Sequence, residues 1–238
     1  MKALLVDDER LARAGLRRML KAHEDVEVVG DAANTAEAAA LIGSLNPDVI
    51  FLDVEMPGKT GLQLLEELHD VPLVIFTTAY QEYAVHAFEV SALDYLVKPI
   101  SPERLAAALD KVRKALRREE TTALSKPGKY LRQVFLREGD RCWIVETAQV
   151  HLLESEGNYT RVYFEGNRPL IYKSLSAFEA RLNPAIFVRA SRSHIVNYRS
   201  IKSLQAEADG SLIATLVTGQ TVAISRRQSR KLRALMSV

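Results

Sequence analysis

Three short apolar runs in the first hundred residues each stop on charge. Ala3-Leu4-Leu5-Val6 ends at Asp7-Asp8, Val49-Ile50-Phe51-Leu52 ends at Asp53, and Tyr95-Leu96-Val97 ends at Lys98-Pro99. In an open parallel sheet, ligands bind outside the carboxyl ends of the strands, so these charges converge on one pocket if the runs are neighbouring strands.

The pattern around them supports that sheet. Strands are predicted over Ala3 to Val6, Val26 to Gly30, Val49 to Leu52, Leu73 to Thr77 and Asp94 to Val97. Stripes at helical spacing lie between and after them, such as Ala12, Gly15, Leu16, Met19 and Leu20, then Leu105, Ala108, Leu109, Val112 and Leu116. Five strands alternating with five helices predict an α/β domain over residues 1–118, a doubly wound (βα)5 unit around a five-stranded parallel sheet. Residues 119–129 mix charge, hydroxyls and Pro127-Gly128 and read as a linker. From 130 to 238, short β-branched or aromatic runs alternate with turn signals such as Gly157-Asn158, Gly166-Asn167 and Asp209-Gly210, which predicts a mostly antiparallel β domain. A short helix is expected near Leu175 to Leu182 and a basic one from about Arg226.

Charge divides at the same place. Through residue 120 there are 14 Lys and Arg against 21 Asp and Glu, a net of −7; thereafter 18 stand against 9, a net of +9. An acidic half suits a cation or phosphate site, and a basic half suits a polyanion. The lone Cys142 excludes an intramolecular disulfide and fits a reducing cytosol. No apolar stretch approaches the ~18 residues of a membrane span, and the N-terminus runs straight into a strand pattern, so the expected location is cytoplasmic. The five histidines show no ligand spacing. Gly58-Lys59-Thr60 mimics the end of a phosphate-binding loop, but Asp53 stands where the earlier glycine is required.

Carboxylates packed together repel, and a hard divalent cation with oxygen ligands relieves them, magnesium being the usual choice. An Asp can also attack a phosphoryl group, with a lysine and a hydroxyl binding its oxygens; Lys98 and Thr78 suit those roles. Asp7-Asp8, Asp53 with Met56-Pro57 and Gly61, Thr78-Ala79 and Lys98-Pro99 together resemble the motif set of the bacterial response-regulator receiver domain. The resemblance implies that Asp53 is the phosphoacceptor, that Asp8 and Asp53 ligate Mg2+ directly, that Asp7 acts mainly through water, and that the Glu55 backbone carbonyl completes the protein ligands. It also implies a switch pair of Thr78 and Tyr95, a sensor histidine kinase as phosphodonor, and a homodimer formed through the helix–strand–helix face from Gln81 to Arg118. There Glu82, Glu89 and Asp94 are expected to meet Lys111, Arg113 and Arg117.

The basic half carries a second resemblance. Glu154-Ser155-Glu156-Gly157-Asn158-Tyr159, Phe187 to Asn197, and Val222-Ala223-Ile224-Ser225-Arg226-Arg227 are similar to the LytTR DNA-binding domain. That family implies double-stranded promoter DNA gripped by loops: Thr160 with Asn158 at one major groove, Arg227 with Arg226 at the next, and Arg192 in the minor groove between. Tyr159, Arg161, Ser225 and Arg230 complete the expected contact set, with Ser225 placed to receive a phosphate at a helix start. Where the family commonly shows His-Arg-Ser, this chain has Ser191-Arg192-Ser193. The expected function is a transcriptional response regulator and not an enzyme. Two alternatives stand beside it: a phosphatase acting through an aspartyl intermediate with Glu55 as its acid, and a receiver-tethered scaffold that binds protein or RNA.

Overall fold

The structure, a computed structural model, describes residues 1–68, 70–79, 92–122, 130–139 and 141–236. Packing divides the chain into two compact units. The first comprises Met1–Ala123 together with Gln133–Phe135 and Arg141–Ile144, and the second is built chiefly from Val145–Val238.

In the first unit, β1 (Lys2–Val6), β2 (Glu27–Ala32), β3 (Val49–Asp53), β4 (Leu73–Thr78) and β5 (Asp94–Val97) form one parallel sheet in the order β2-β1-β3-β4-β5. Alternate residues of the central strands serve opposite faces. Leu4, Val6, Ile50, Leu52, Val74 and Phe76 pack with Ala38 and Ile42 of α2 (Thr35–Leu45) and with Leu64 and Leu65 of α3 (Gly61–Glu67). Ala3, Leu5, Val49, Phe51, Leu73 and Ile75 pack with Leu16 and Leu20 of α1 (Arg10–Leu20) and with Leu105, Ala108, Leu109 and Val112 of α4 (Pro102–Thr122). Both faces are therefore dry, as a parallel sheet requires. Each fully buried side chain such as Phe51 or Phe76 contributes roughly 1.5–3 kcal/mol of burial free energy.

Local signals fix the helix ends. Asn34 accepts the Glu37 amide at the start of α2, and Thr60 and Gln63 form a reciprocal capping box on α3. Thr60 is thus a helix cap and Lys59 pairs with Glu67 at 2.7 Å, which accounts for the apparent phosphate-loop fragment. The helix expected between β4 and β5 falls on residues 80–91, outside the described residues. So do residues 123–129 of the expected linker; α4 itself continues through Thr122, so the polar stretch from Glu119 begins as helix.

Next come β6 (Gln133–Glu138) and β7 (Arg141–Glu146), which pair as a two-stranded sheet. Cys142 and Ile144 of β7 join the core beneath α2 and α3. The second unit holds a five-stranded antiparallel sheet in the order β10-β9-β8-β12-β11, made of β8 (Leu152–Glu156), β9 (Tyr159–Tyr163), β10 (Leu170–Ile171), β11 (Phe187–Arg189) and β12 (His194–Asn197). A three-stranded antiparallel sheet follows from β13 (Ile201–Ala206), β14 (Leu212–Leu216) and β15 (Thr221–Ile224). The helices α5 (Leu175–Glu179) and α6 (Arg226–Met236) match the two expected. β11 has only three residues, too few to show a period.

Candidate functional site

The parallel sheet brings its charged strand ends together. Asp7 follows β1, Asp53 closes β3, and Lys98 follows β5. The Lys98 Nζ lies 2.7 Å from Asp7 Oδ2 and 2.6 Å from Asp53 Oδ2. Oxygens of Asp7, Asp8 and Asp53 lie within 4.8 Å of one another, with Asp7 and Asp53 buried and Asp8 exposed. The remaining oxygens are oriented by the backbone: Asp7 Oδ1 accepts the Glu9 amide at 2.9 Å and Asp53 Oδ1 accepts the Glu55 amide at 3.1 Å. The Glu55 residue itself is exposed.

Electrostatics follow from that crowding. Burial pushes the Asp53 carboxyl above its ordinary value; the bond from Lys98 opposes the rise and the Asp7 charge adds to it. Burial alone would pull Lys98 down, yet its bonds to Asp53 and Asp7 carry it above the usual lysine value. The centre is a fixed ammonium shared by two desolvated carboxylates.

Thr78 ends β4 and is buried. Tyr95 in β5 is partly buried and stacks on Phe76, with ring centroids 5.2 Å apart. Burial, and then the neighbouring Cys142, holds its phenol well above the usual tyrosine range. Gly61 matters through what it lacks. A Cβ there would stand 2.3 Å from the Asp53 carbonyl oxygen, so only glycine lets α3 begin against β3.

Arg13 is a participant the sequence did not flag. From α1 its guanidinium donates to the carbonyl oxygens of Asp7 and of Asp8, the latter at 3.2 Å, while Nε pairs with Asp31 at 3.2 Å. It holds the acidic loop by its backbone carbonyls rather than by its carboxylates.

On the face expected to pair copies, several charges already have partners in their own chain. Asp94 receives Lys111 at 3.0 Å and Arg104 at 3.2 Å, and Arg113 binds Asp25 and Asp110. The Arg113 guanidinium holds the Asp25 carboxyl down to about 2. Glu82 and Glu89 lie outside the described residues.

In the second unit three basic segments are placed by strand ends. The first is the β8–β9 turn, where Gly157 adopts φ +62° and Asn158 and Tyr159 are exposed. Thr160, expected at a groove, is instead fully buried, with its hydroxyl donating to the Lys173 carbonyl at 2.7 Å. The reason is strand alternation: Thr160 shares its inward face with Val162, and Tyr159 points the other way. Arg161, also expected at DNA, is turned onto Glu156 and donates to the Arg168 carbonyl at 3.0 Å. Exposed Tyr172 stands edge-on to Tyr159 at 5.1 Å; the same alternation across the Thr160–Ile171 pair would have found it.

The second segment is the loop from Ala190 to Ser193, in which Arg192 is exposed. Asn197 and Glu154 near it serve the fold: the Asn197 amide donates to the carbonyls of Ala148 and Val150, and Glu154 accepts the Tyr163 hydroxyl. The third segment opens α6, where Ser225, Arg226, Arg227 and Arg230 are all exposed. The Ser225 amide donates to the Ala190 carbonyl at 2.9 Å, so the second and third segments adjoin. Helix starts carry unpaired amides that suit phosphate.

Comparison with known proteins adds to this geometry. Residues 3–110 match the model of the response regulator receiver domain, and residues 140–237 match the LytTr DNA-binding domain. The chain is 33% identical over 236 residues to the transcriptional regulatory protein BtsR of Salmonella typhi, covering 98% of each. It is 31% identical over 242 residues to the sensory transduction protein LytT of Bacillus subtilis, covering 100% of each.

Proposed function

Because the chain belongs to the response regulators in which a receiver domain is followed by a LytTr DNA-binding domain, we propose that Asp53 accepts a phosphoryl group from a sensor histidine kinase and that the basic unit then grips promoter DNA. The observation that carries this reading is the Lys98 ammonium held between Asp53 and Asp7 at converging strand ends. An Asp53 oxygen forms its bond to phosphorus as the phosphorus–nitrogen bond of the donor histidine breaks, giving an acyl phosphate. Burial leaves the Asp53 carboxylate poorly solvated and more basic, while Lys98 keeps it oriented. Lys98 and the Thr78 hydroxyl then bind the phosphoryl oxygens, and Tyr95 follows Thr78 as the switch.

The donor set fits Mg2+, a hard cation that takes carboxylate and carbonyl oxygens. Asp8, Asp53 and the Glu55 carbonyl would hold it, and Asp7 would act mainly through water, as the family resemblance implies. When bound, it neutralises charge on the phosphoryl oxygens. Phosphorylated copies pair through the face from Gln81 to Arg118, with Asp94, Lys111 and Arg113 exchanging their present partners. On DNA, Asn158, Tyr159 and Tyr172 face one groove, Arg226 and Arg227 the next, and Arg192 the minor groove between, while Ser225 and Arg230 meet phosphate.

The test has two arms. Incubation with a labelled phosphodonor and Mg2+ labels the full chain with a hydroxylamine-sensitive group, and Asp53→Asn removes it; a mutant that keeps the label sinks the acceptor assignment. Selection from a random duplex pool yields a defined site, enriched more strongly with the donor present. Enrichment of RNA, or turnover of a simple phosphate ester, would favour the alternative readings.

A further inference from the structure

Four successive carbonyls of the loop that carries Arg192 are each claimed by a donor. The Ala190 oxygen accepts the Ser225 amide at 2.9 Å, and the Ser193 oxygen accepts the Ser155 amide at 2.8 Å. Between them, a single side chain takes the other two: Arg189 donates from Nε to the Ser191 oxygen at 2.7 Å and from Nη2 to the Arg192 oxygen at 2.5 Å. Its remaining nitrogen, Nη1, lies 2.6 Å from Glu179 Oε2 at the end of α5. The guanidinium is half-buried and anchored on all sides, whereas the side chain of Arg192 is exposed.

We propose that Arg189 is a positioning residue for DNA reading: its planar fork grips the backbone on both sides of the Arg192 Cα and so aims the Arg192 side chain without itself touching DNA. The inference rests on the DNA-binding reading above and adds to it the means by which this loop is aimed. An exposed arginine on a mobile loop loses much of its binding free energy to ordering. A loop fixed at four carbonyls has lost that freedom before DNA arrives. Lysine cannot replace the fork, because one ammonium cannot reach two carbonyls and a carboxylate in a plane, although it keeps the charge.

The experiment uses the full chain and three variants, Arg189→Lys, Arg192→Ala and the double variant, each scored by preference at every position of the selected duplex. Arg189→Lys is expected to lose roughly fivefold or more of the preference at the positions that Arg192→Ala blinds. It should keep its preference at the positions read from α6 and its slope of affinity against salt, since no phosphate-neutralising charge is removed. In the double variant the loss should equal that of Arg192→Ala alone. If Arg189→Lys keeps full preference, loses it evenly at all positions, or multiplies its loss in the double variant, the positioning role is wrong. If Arg192→Ala blinds no position, the reading of DNA by this loop has failed first, and the proposal falls with it. Should Arg189→Lys not fold, Glu179→Ala removes the anchor of the fork and is expected to weaken the same positions.

Discussion

The acidic centre of the first unit and the basic loops of the second place charge in opposite ways. In the first, Asp7 and Asp53 are buried with the half-buried Lys98 between them, and each of these three charges has a partner within hydrogen-bonding distance. In the second, Arg192, Arg226 and Arg227 stand in solvent, and what is held is the backbone beneath them. Covalent chemistry at a carboxylate needs charges fixed in advance against a small target, so desolvation is tolerated. Recognition of a polyanion needs charges that exchange water and counterions for phosphate and base edges, so they stay outside. Both units nevertheless use an arginine for the same task, Arg13 on the carbonyls of Asp7 and Asp8 and Arg189 on those of Ser191 and Arg192.

That contrast is broken most easily at Lys98. Lys98→Ala leaves two buried carboxylates facing each other and is expected to cost about 3 kcal/mol of stability in metal-free protein, as the loss of one partner of a buried pair does. Arg192→Ala should change stability by no more than about 0.5 kcal/mol. Equal urea midpoints for the two variants would erase the distinction between the units. Next in size is DNA discrimination: Arg192→Ala and Arg227→Ala should each lose about 1–3 kcal/mol of site preference, read by competition between the selected duplex and a scrambled one.

Thr160→Val sharpens the boundary between reader and scaffold. Its hydroxyl serves the Lys173 carbonyl, so the variant should lose about 1 kcal/mol in thermal or urea unfolding while its site preference stays intact. A change in preference with unaltered stability would put Thr160 back at the groove. The smallest effect belongs to the exposed pair of Asp25 and Arg113. Because the folded Asp25 carboxyl sits near 2 against an ordinary 3.8, its contribution is present above about pH 4 and is lost as pH falls toward 2. Asp25→Asn should flatten that part of the stability profile by less than about 1 kcal/mol, since the carboxylate is well hydrated.

The parallel sheet was legible because strand runs and helical stripes differ in period, and the acidic centre because its residues end those runs. The antiparallel sheets were legible from their turns. Of the expected DNA contacts, Thr160 is buried and Arg161 is engaged by a carboxylate of its own unit. Thr160 and Arg161 were judged by residue type, whereas the fold disposes of them by strand alternation and by a nearby Glu156. Arg13 left no signature at all, since a long side chain that binds carbonyl oxygens has no partner identity to read, whereas Arg189, in a run leading into a strand, reads from the sequence as a structural residue that satisfies backbone groups. The pairs Asp94–Lys111 and Arg113–Asp25 likewise depend on which elements are neighbours, which residue type does not reveal.

Gly61 shows how far such a constraint reaches. It carries no functional group, yet the start of α3 presses so closely on Asp53 that even a methyl group would displace β3. In a saturation library scored for signalling output, position 61 should therefore be as intolerant as position 53 itself, a silent position by chemistry and an essential one by clearance.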